Sequence, residues 1–154
     1  DIVEPVIDQL RTLSHEKGLD FEVVQNADLV FADIVRSRQI LFNLIGNAIK
    51  FTDVGFVRLD IKAAQGIVTF SVKDSGPGIP EDDLDSIFDI FYQVDSTATR
   101  RAGGTGMGLA IARSLAILQN GSLTVSSAVG VGTCFELSLP DPTENGSSAS
   151  AIKL

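Results

Sequence analysis

Residues 38–52 read Arg38-Gln-Ile-Leu-Phe-Asn43-Leu-Ile-Gly-Asn47-Ala-Ile-Lys50-Phe-Thr52. The stretch is apolar nearly all round, the pattern of a helix buried in a core. Gln39, Asn43, Asn47 and Lys50 break that pattern at helical spacing and so share one face. Polar groups inside a core are costly without partners. A polar stripe ending in lysine therefore points to something polar lying against the helix. Two amides and an ammonium suit a hydrated divalent cation and a phosphate chain. They are equally compatible with two core asparagines bonded to nearby backbone and a lysine reaching out to water.

On either side of this stretch the apolar period changes. Val3, Val6, Ile7, Leu10 and Leu13 follow a helical spacing that predicts a helix over residues 2–16, stopped at Lys17-Gly18. Leu19–Val24 alternates as a strand, Val30–Ala32 reads as a short second one, and Asp33 suits the N-cap of the central helix. Residues 56–63 and 66–74 alternate again around a tight Ala64-Gln65-Gly66 connection, a β-hairpin. Glu81–Phe88 reads as a short helix and Tyr92–Gly104 as a long mobile loop. A helix then runs from Gly106 or Met107 to Leu118, stopped at Asn120-Gly121. Residues 123–127 and 132–139 form a last hairpin. Hairpins with helices gathered between them predict an α+β fold, a mixed or antiparallel sheet with helices on one face. The other face is left to solvent or a partner.

The length, 154 residues, suits one domain over residues 1–140; the polar run 141–154 reads as a flexible tail or linker. Twelve basic against twenty acidic residues argue against a nucleic-acid surface. The single Cys134 sits in an alternating apolar run and reads as a core thiol. No apolar run approaches the ~18 residues of a membrane span. The chain starts at Asp1 without a methionine and reads as a piece of something longer in a reducing, cytoplasmic setting. The one histidine, His15, lies far in sequence from every glycine motif and reads as a surface residue. No Ser/His/Asp set, metal-ligand cluster or CxxC pair supports nucleophilic catalysis or structural zinc.

Two further patterns carry chemistry. Asp74-x-Gly76-x-Gly78 ends a strand. An ionised carboxylate only accepts hydrogen bonds, so at the base of a pocket it would welcome the amino group of adenine and repel the carbonyl of guanine. The same residues also make an ordinary turn. Gly103-Gly104-Thr105-Gly106-Met107-Gly108 precedes a helix, and a glycine-rich helix entry offers N–H groups to phosphates. It also suits a hinge, and a lid that orders over a ligand reconciles the two. Arg100 and Arg101 could reach phosphate from that loop, and Phe88 and Phe91 suit packing that anchors its start.

These elements stand in a fixed order: Asn43-x3-Asn47-Ala-x-Lys50-Phe-Thr, Asp74-x-Gly76-x-Gly78, Ile87-Phe88-x-x-Phe91, Gly104-Thr105-Gly106-x-Gly108-Leu109-Ala and Gly130-x-Gly132-Thr133-x-Phe135. In that order they resemble the catalytic, ATP-binding domain of a sensor histidine kinase, in the family shared with DNA gyrase, the Hsp90 chaperones and MutL. The resemblance implies a two-layer α/β sandwich of the Bergerat type with a mobile ATP lid, and ATP and Mg²⁺ as cofactors. It implies that Asn47 coordinates magnesium with Asn43 beside it, and that Lys50 contacts phosphate. Asp74 would bind the adenine amino group, partly through water with Thr133, in a pocket shaped by Gly76 and Gly78. Gly104, Thr105, Gly106, Gly108 and Leu109 would close the lid on the triphosphate. Hydrolysing members carry a general-base glutamate where this chain has Asn43, so transfer to a protein acceptor is implied instead. That acceptor would be a histidine on a separate dimerisation domain, and a response regulator or receiver domain would follow. The fragment is expected to be monomeric, cytoplasmic and nearly inactive alone, its parent homodimeric and compatible with a membrane anchor. The wording Phe91-Tyr-Gln93-Val-Asp is similar to that of hybrid kinases, whereas some members carry a basic residue where Tyr92-Gln93 stand.

Overall fold

Asp33 opens the central helix as the sequence predicts: its carboxylate accepts the Arg36 N–H at 2.9 Å, so the helix α2 runs Ile34–Phe51. The structure is a computed structural model that describes residues 1–93, 106–142 and 151–154. Before α2 come α1 (Glu4–Glu16), β1 (Asp20–Asn26) and β2 (Leu29–Phe31). After it come β3 (Phe56–Ala64), β4 (Ile67–Asp74), a 3₁₀ turn (Glu81–Asp83), α3 (Gly108–Ile117), β5 (Ser122–Ala128), β6 (Gly132–Pro140) and β7 (Ala151–Lys153).

The strands form a five-stranded sheet in the order β1-β3-β4-β6-β5. Only β1 and β3 run parallel, with α2 as the crossover between them; the other pairs are antiparallel. In the β3–β4 hairpin, Gln65 and Gly66 both have positive φ, at 52° and 75°, which matches a turn with the twist of the strands. Alternation sends Val57, Leu59, Ile61, Val68, Phe70, Val72, Phe135, Leu137 and Leu139 to one face. There they bury against Ile40, Leu41, Leu44 and Ile45 of α2, Leu10 of α1 and Ala112 and Ala116 of α3. The result is the expected two-layer α+β sandwich.

The other sheet face is polar and internally paired. Asp60 is only 4% exposed, gripped by Arg58 through Nη2 at 2.8 Å and Nε at 3.0 Å, with Lys73 Nζ at 3.4 Å. The hydrogen bond from Arg58 is the main cause that holds the Asp60 carboxyl below its usual range. Ser71 donates to Glu136 at 3.1 Å on the same face. Cys134 lies here too, half-exposed, so the expected core thiol is corrected: register puts Phe135, not Cys134, inward. Burial and then Glu136 push its thiol pKa up, away from thiolate chemistry.

Three other expectations change. The central helix is not buried all round: Val35 (73% exposed) and Phe42 look outward. Residues 81–88 make a 3₁₀ turn followed by hydrogen-bonded turns rather than a helix. Like charges at Glu81, Asp85 and Asp89 would stack at helical i,i+4 spacing and oppose that helix. The last residues of the expected flexible tail are docked: β7 pairs antiparallel with β2, Leu154 N–H donates to the Asp28 carbonyl at 3.0 Å, and Leu154 is buried. Residues 143–150 lie outside the described residues.

The C-terminus of α2 is closed from outside the helix. Lys17, at the end of α1, donates to the carbonyls of Ile49 at 2.7 Å and Lys50 at 2.9 Å. Thr52 follows, completely buried, and its hydroxyl finds no hydrogen-bond partner among the described residues. Thr52→Val keeps the shape and removes that hydroxyl. The empty protein is expected to gain about 1 kcal/mol, a rise of roughly 2–4 °C in a thermal melt. An unchanged or lower melting temperature would show that the hydroxyl is satisfied in solution.

Candidate functional site

The polar stripe of α2 carries one end of the site. Asn43 and Asn47 are one turn apart, and Asn47 Nδ2 donates to Asn43 Oδ1 at 3.4 Å. That direction leaves the Asn47 carbonyl oxygen pointing elsewhere, a hard oxygen of the kind that magnesium takes. Asn43 is pressed against α3: a Cβ built on Gly108 would lie 2.2 Å from Asn43 Nδ2. The two helices part here into a cavity of about 230 Å³ lined by Gln39, Phe42, Asn43, Met107, Gly108, Ile111 and Ala112. The first N–H groups of α3 open beside it, where the helix dipole is positive. Lys50 lies three residues beyond Asn47 on the same helix, its ammonium 5.4 Å from the Phe51 ring centroid.

Asp74 carries the other end. It closes β4 opposite Thr133 of β6, and Oδ1 accepts the Gly76 N–H at 2.9 Å. Burial raises its pKa above the ordinary carboxylate value, while the N–H groups of Gly76 and Thr133 pull it back. Gly78 turns the chain away at φ 78°, where a Cβ would lie 2.2 Å from the Ala128 carbonyl, so only glycine fits. Thr133 is buried with its hydroxyl 2.8 Å from Ser127 Oγ. Ser127 donates its one hydrogen to the Gly132 carbonyl at 2.9 Å and accepts the Ile79 N–H at 2.8 Å. With the Ser127 hydrogen on the Gly132 carbonyl, Thr133 donates to Ser127 and its oxygen is left to accept.

The Asp74 cluster meets the end of α2: a Cβ on Gly76 would touch Thr52 Oγ1 at 3.1 Å and the Phe51 carbonyl at 3.3 Å. The two ends of the site are thus strung along one helix. Asn43 and Phe51 are separated by about 12 Å of helix at 1.5 Å per residue.

A backbone bond joins the chain on either side of residues 92–105. Phe91 N–H donates to the Gly106 carbonyl at 2.9 Å, and both residues have positive φ, 65° and 71°. The predicted anchoring divides accordingly. Phe88 packs edge-on against Phe135, centroids 6.3 Å apart, beneath the Arg113 guanidinium at 4.8 Å. Phe91, by contrast, is 71% exposed and anchors through its backbone, not its ring. Tyr92 donates its hydroxyl hydrogen to Asp83, which raises the tyrosine pKa.

Of the residues singled out in the sequence, Asn43, Asn47 and Gly108 come together at the cavity, and Asp74, Gly76, Gly78 and Thr133 come together at the end of α2. Gly106 accepts the Phe91 N–H, and Leu109 packs partly buried against the core. Arg100, Arg101, Gly103, Gly104 and Thr105 lie outside the described residues. His15 is exposed on α1. Sequence reasoning missed Ser127. Its signal is the inward phase of β5, which places it opposite Thr133.

Comparisons with known proteins identify the family of the fold. Residues 32–143 match the family model described as histidine kinase-, DNA gyrase B- and HSP90-like ATPase. The chain is 46% identical over 137 residues to the autoinducer 2 sensor kinase/phosphatase LuxQ of Vibrio cholerae, covering 84% of this chain and 16% of that protein. It is 44% identical over 135 residues to the aerobic respiration control sensor protein ArcB of Escherichia coli, covering 84% and 17%. The chain therefore spans about a sixth of the length of these relatives. Among solved structures, full-length ShkA in complex with AMPPNP superposes with a TM-score of 0.80 at 36% identity, covering 90% of this chain and 29% of that one. The nucleotide-free catalytic domain of histidine kinase ThkA superposes at 0.78 with 27% identity, covering 90% and 91%. The chain belongs to the histidine kinase-, DNA gyrase B- and HSP90-like ATPase family, and the relatives it resembles within that family are sensor kinases.

Proposed function

We propose that this domain binds ATP with Mg²⁺ and donates the γ-phosphoryl group to a histidine carried by a separate dimerisation domain. The observation that supports it most is the two-ended site on α2, an acceptor-only carboxylate at one end and paired amides against a helix N-terminus at the other. Asp74 takes the exocyclic amine of adenine, with the Thr133 oxygen beside it accepting from a bridging water. The N–H groups of α3 and the Lys50 ammonium hold phosphate oxygens. Asn47 offers its carbonyl oxygen to the cation and Asn43 orients that amide. Among the described residues no group of three or more His, Cys, Asp or Glu could hold a metal, so the ion is held chiefly by phosphate and water. When bound, it neutralises charge on the transferring phosphoryl group. Asn43 cannot take a proton from water at neutral pH, which disfavours hydrolysis and leaves the phosphoryl group for a protein nucleophile.

The domain acts as a monomer that docks with the dimerisation domain of a homodimeric parent, and the phosphoryl group passes on to a receiver domain or response regulator. None of the described helices is long and apolar enough to cross a membrane. The nucleotide supply places the domain in the cytoplasm. The test is calorimetric titration of ATP and of GTP with Mg²⁺, followed by addition of a purified acceptor domain. ATP binding without GTP binding, then acid-labile phosphohistidine on the acceptor, is expected. Bound ATP with no transfer overturns the kinase reading, and absence of ATP binding overturns the whole.

A further inference from the structure

Gln119 lies two residues beyond the end of α3, 7% exposed, and no motif contains it. Its side-chain oxygen accepts two hydrogen bonds from the start of α2, the Asp33 N–H at 2.7 Å and the Ser37 hydroxyl at 3.1 Å. Its amide nitrogen donates back to the Leu115 carbonyl of α3 at 3.2 Å. Ser37 is completely buried. A buried amide with three geometrically fixed partners on two helices holds them in one register, because a slip leaves all three groups unpaired at once.

The chain after it is equally constrained. Gly121 N–H returns to the Ala116 carbonyl at 2.9 Å, and a Cβ on Gly121 would lie 2.3 Å from the Ser138 carbonyl. The C-terminal end of α3 is therefore fixed on α2 and on the sheet. Its other end, roughly 15 Å away at 1.5 Å per residue, meets α2 at Gly108 on Asn43, with Gln39 and Ala112 lining the cavity between the two contacts. The helices run antiparallel, so the position of one contact sets the other.

We infer that Gln119 is a positioning residue: it sets the register of α3 against α2 and so decides where Gly108 and the first N–H groups of α3 sit over Asn43 and Asn47. Its consequence for phosphate binding rests on the nucleotide reading above; its effect on Asn43 does not. Misplacement on the ångström scale is enough to cost a site much of its function.

The experiment compares the full chain with Gln119→Met, Gln119→Glu and Ser37→Ala. Side-chain amide resonances of Asn43 and Asn47 are followed by ¹H–¹⁵N spectroscopy without nucleotide, beside thermal melts and ATP calorimetry. Gln119→Met removes every hydrogen bond at similar length. It is expected to shift both asparagine resonances and to weaken ATP by about 10-fold at temperatures where the protein remains folded. Gln119→Glu keeps an acceptor for Asp33 and Ser37 but loses the donor to the Leu115 carbonyl, and is expected to move the resonances less than Gln119→Met. Ser37→Ala loses one donor only, and should move the same resonances in the same direction by less. It carries the test if Gln119→Met does not fold. A lower melting temperature with unmoved asparagine resonances in whichever variant folds would overturn the inference. Wild-type protein that fails to bind ATP would overturn the nucleotide reading, while the resonances would still decide the role of Gln119.

Discussion

Asp74→Asn is expected to weaken ATP binding by about 100-fold, because it replaces a charged acceptor with an amide that presents its own N–H groups to the adenine amine. The neighbouring bonds are less affected: an asparagine oxygen can still accept the Gly76 N–H now held at 2.9 Å. The same substitution has a separate effect on the empty protein. Burial raises the Asp74 pKa in the folded state above its unfolded value of 3.8. A raised carboxyl pKa means that the folded state binds more protons than the unfolded one, so stability falls as pH rises through that window. The penalty is fully present above the folded pKa and absent below 3.8. Asparagine carries no such penalty. Urea unfolding should therefore show the variant more stable than the parent at neutral pH, with the gain vanishing as pH falls to about 4. Calorimetry that finds ATP bound equally well by both proteins would remove Asp74 from the base-reading role.

The features legible in the sequence were those written in a few consecutive residues. Asp33 capped the helix that its position predicted, and the Gln65-Gly66 turn joined the strands that alternation had marked. The amide stripe was visible because a 3.6-residue period brings Asn43 and Asn47 together whatever surrounds them. What failed depended on partners far along the chain. Cys134 and Phe135 differ in burial only through which face of β6 meets the helices. The exposure of Phe91 follows from a backbone bond to Gly106, and the docking of Leu154 from a three-residue pairing with β2. Ser127 and Gln119 carry no motif at all, since each is defined by atoms it meets from another element. Residues 81–88 read as a short helix, and repulsion among acids four residues apart, a local property, opposed it.

Gly108→Ala tests the other end of the site, and its expected signature is loss of binding without loss of stability. A Cβ there would lie 2.2 Å from Asn43 Nδ2 and 3.1 Å from its Cγ, far inside contact distance. The obstacle is the tip of a side chain with two rotatable bonds, not backbone, so Asn43 swings aside and the fold survives. Alanine also favours a helix over glycine by up to ~1 kcal/mol, which offsets the disturbance. The displaced Asn43 loses its contact with Asn47 at 3.4 Å, and the amide pair proposed to face the phosphates is dispersed. ATP affinity in the presence of Mg²⁺ is expected to fall by roughly 10- to 100-fold, with a melting temperature close to that of the parent. A double-mutant cycle isolates the cause. In an Asn43→Ala background there is no amide to displace, so Gly108→Ala should cost almost nothing further. If it cost as much there as in the parent, the added methyl group would be acting on the first N–H groups of α3 or on the ligand itself, and the contact between Gly108 and Asn43 would not be what positions the site.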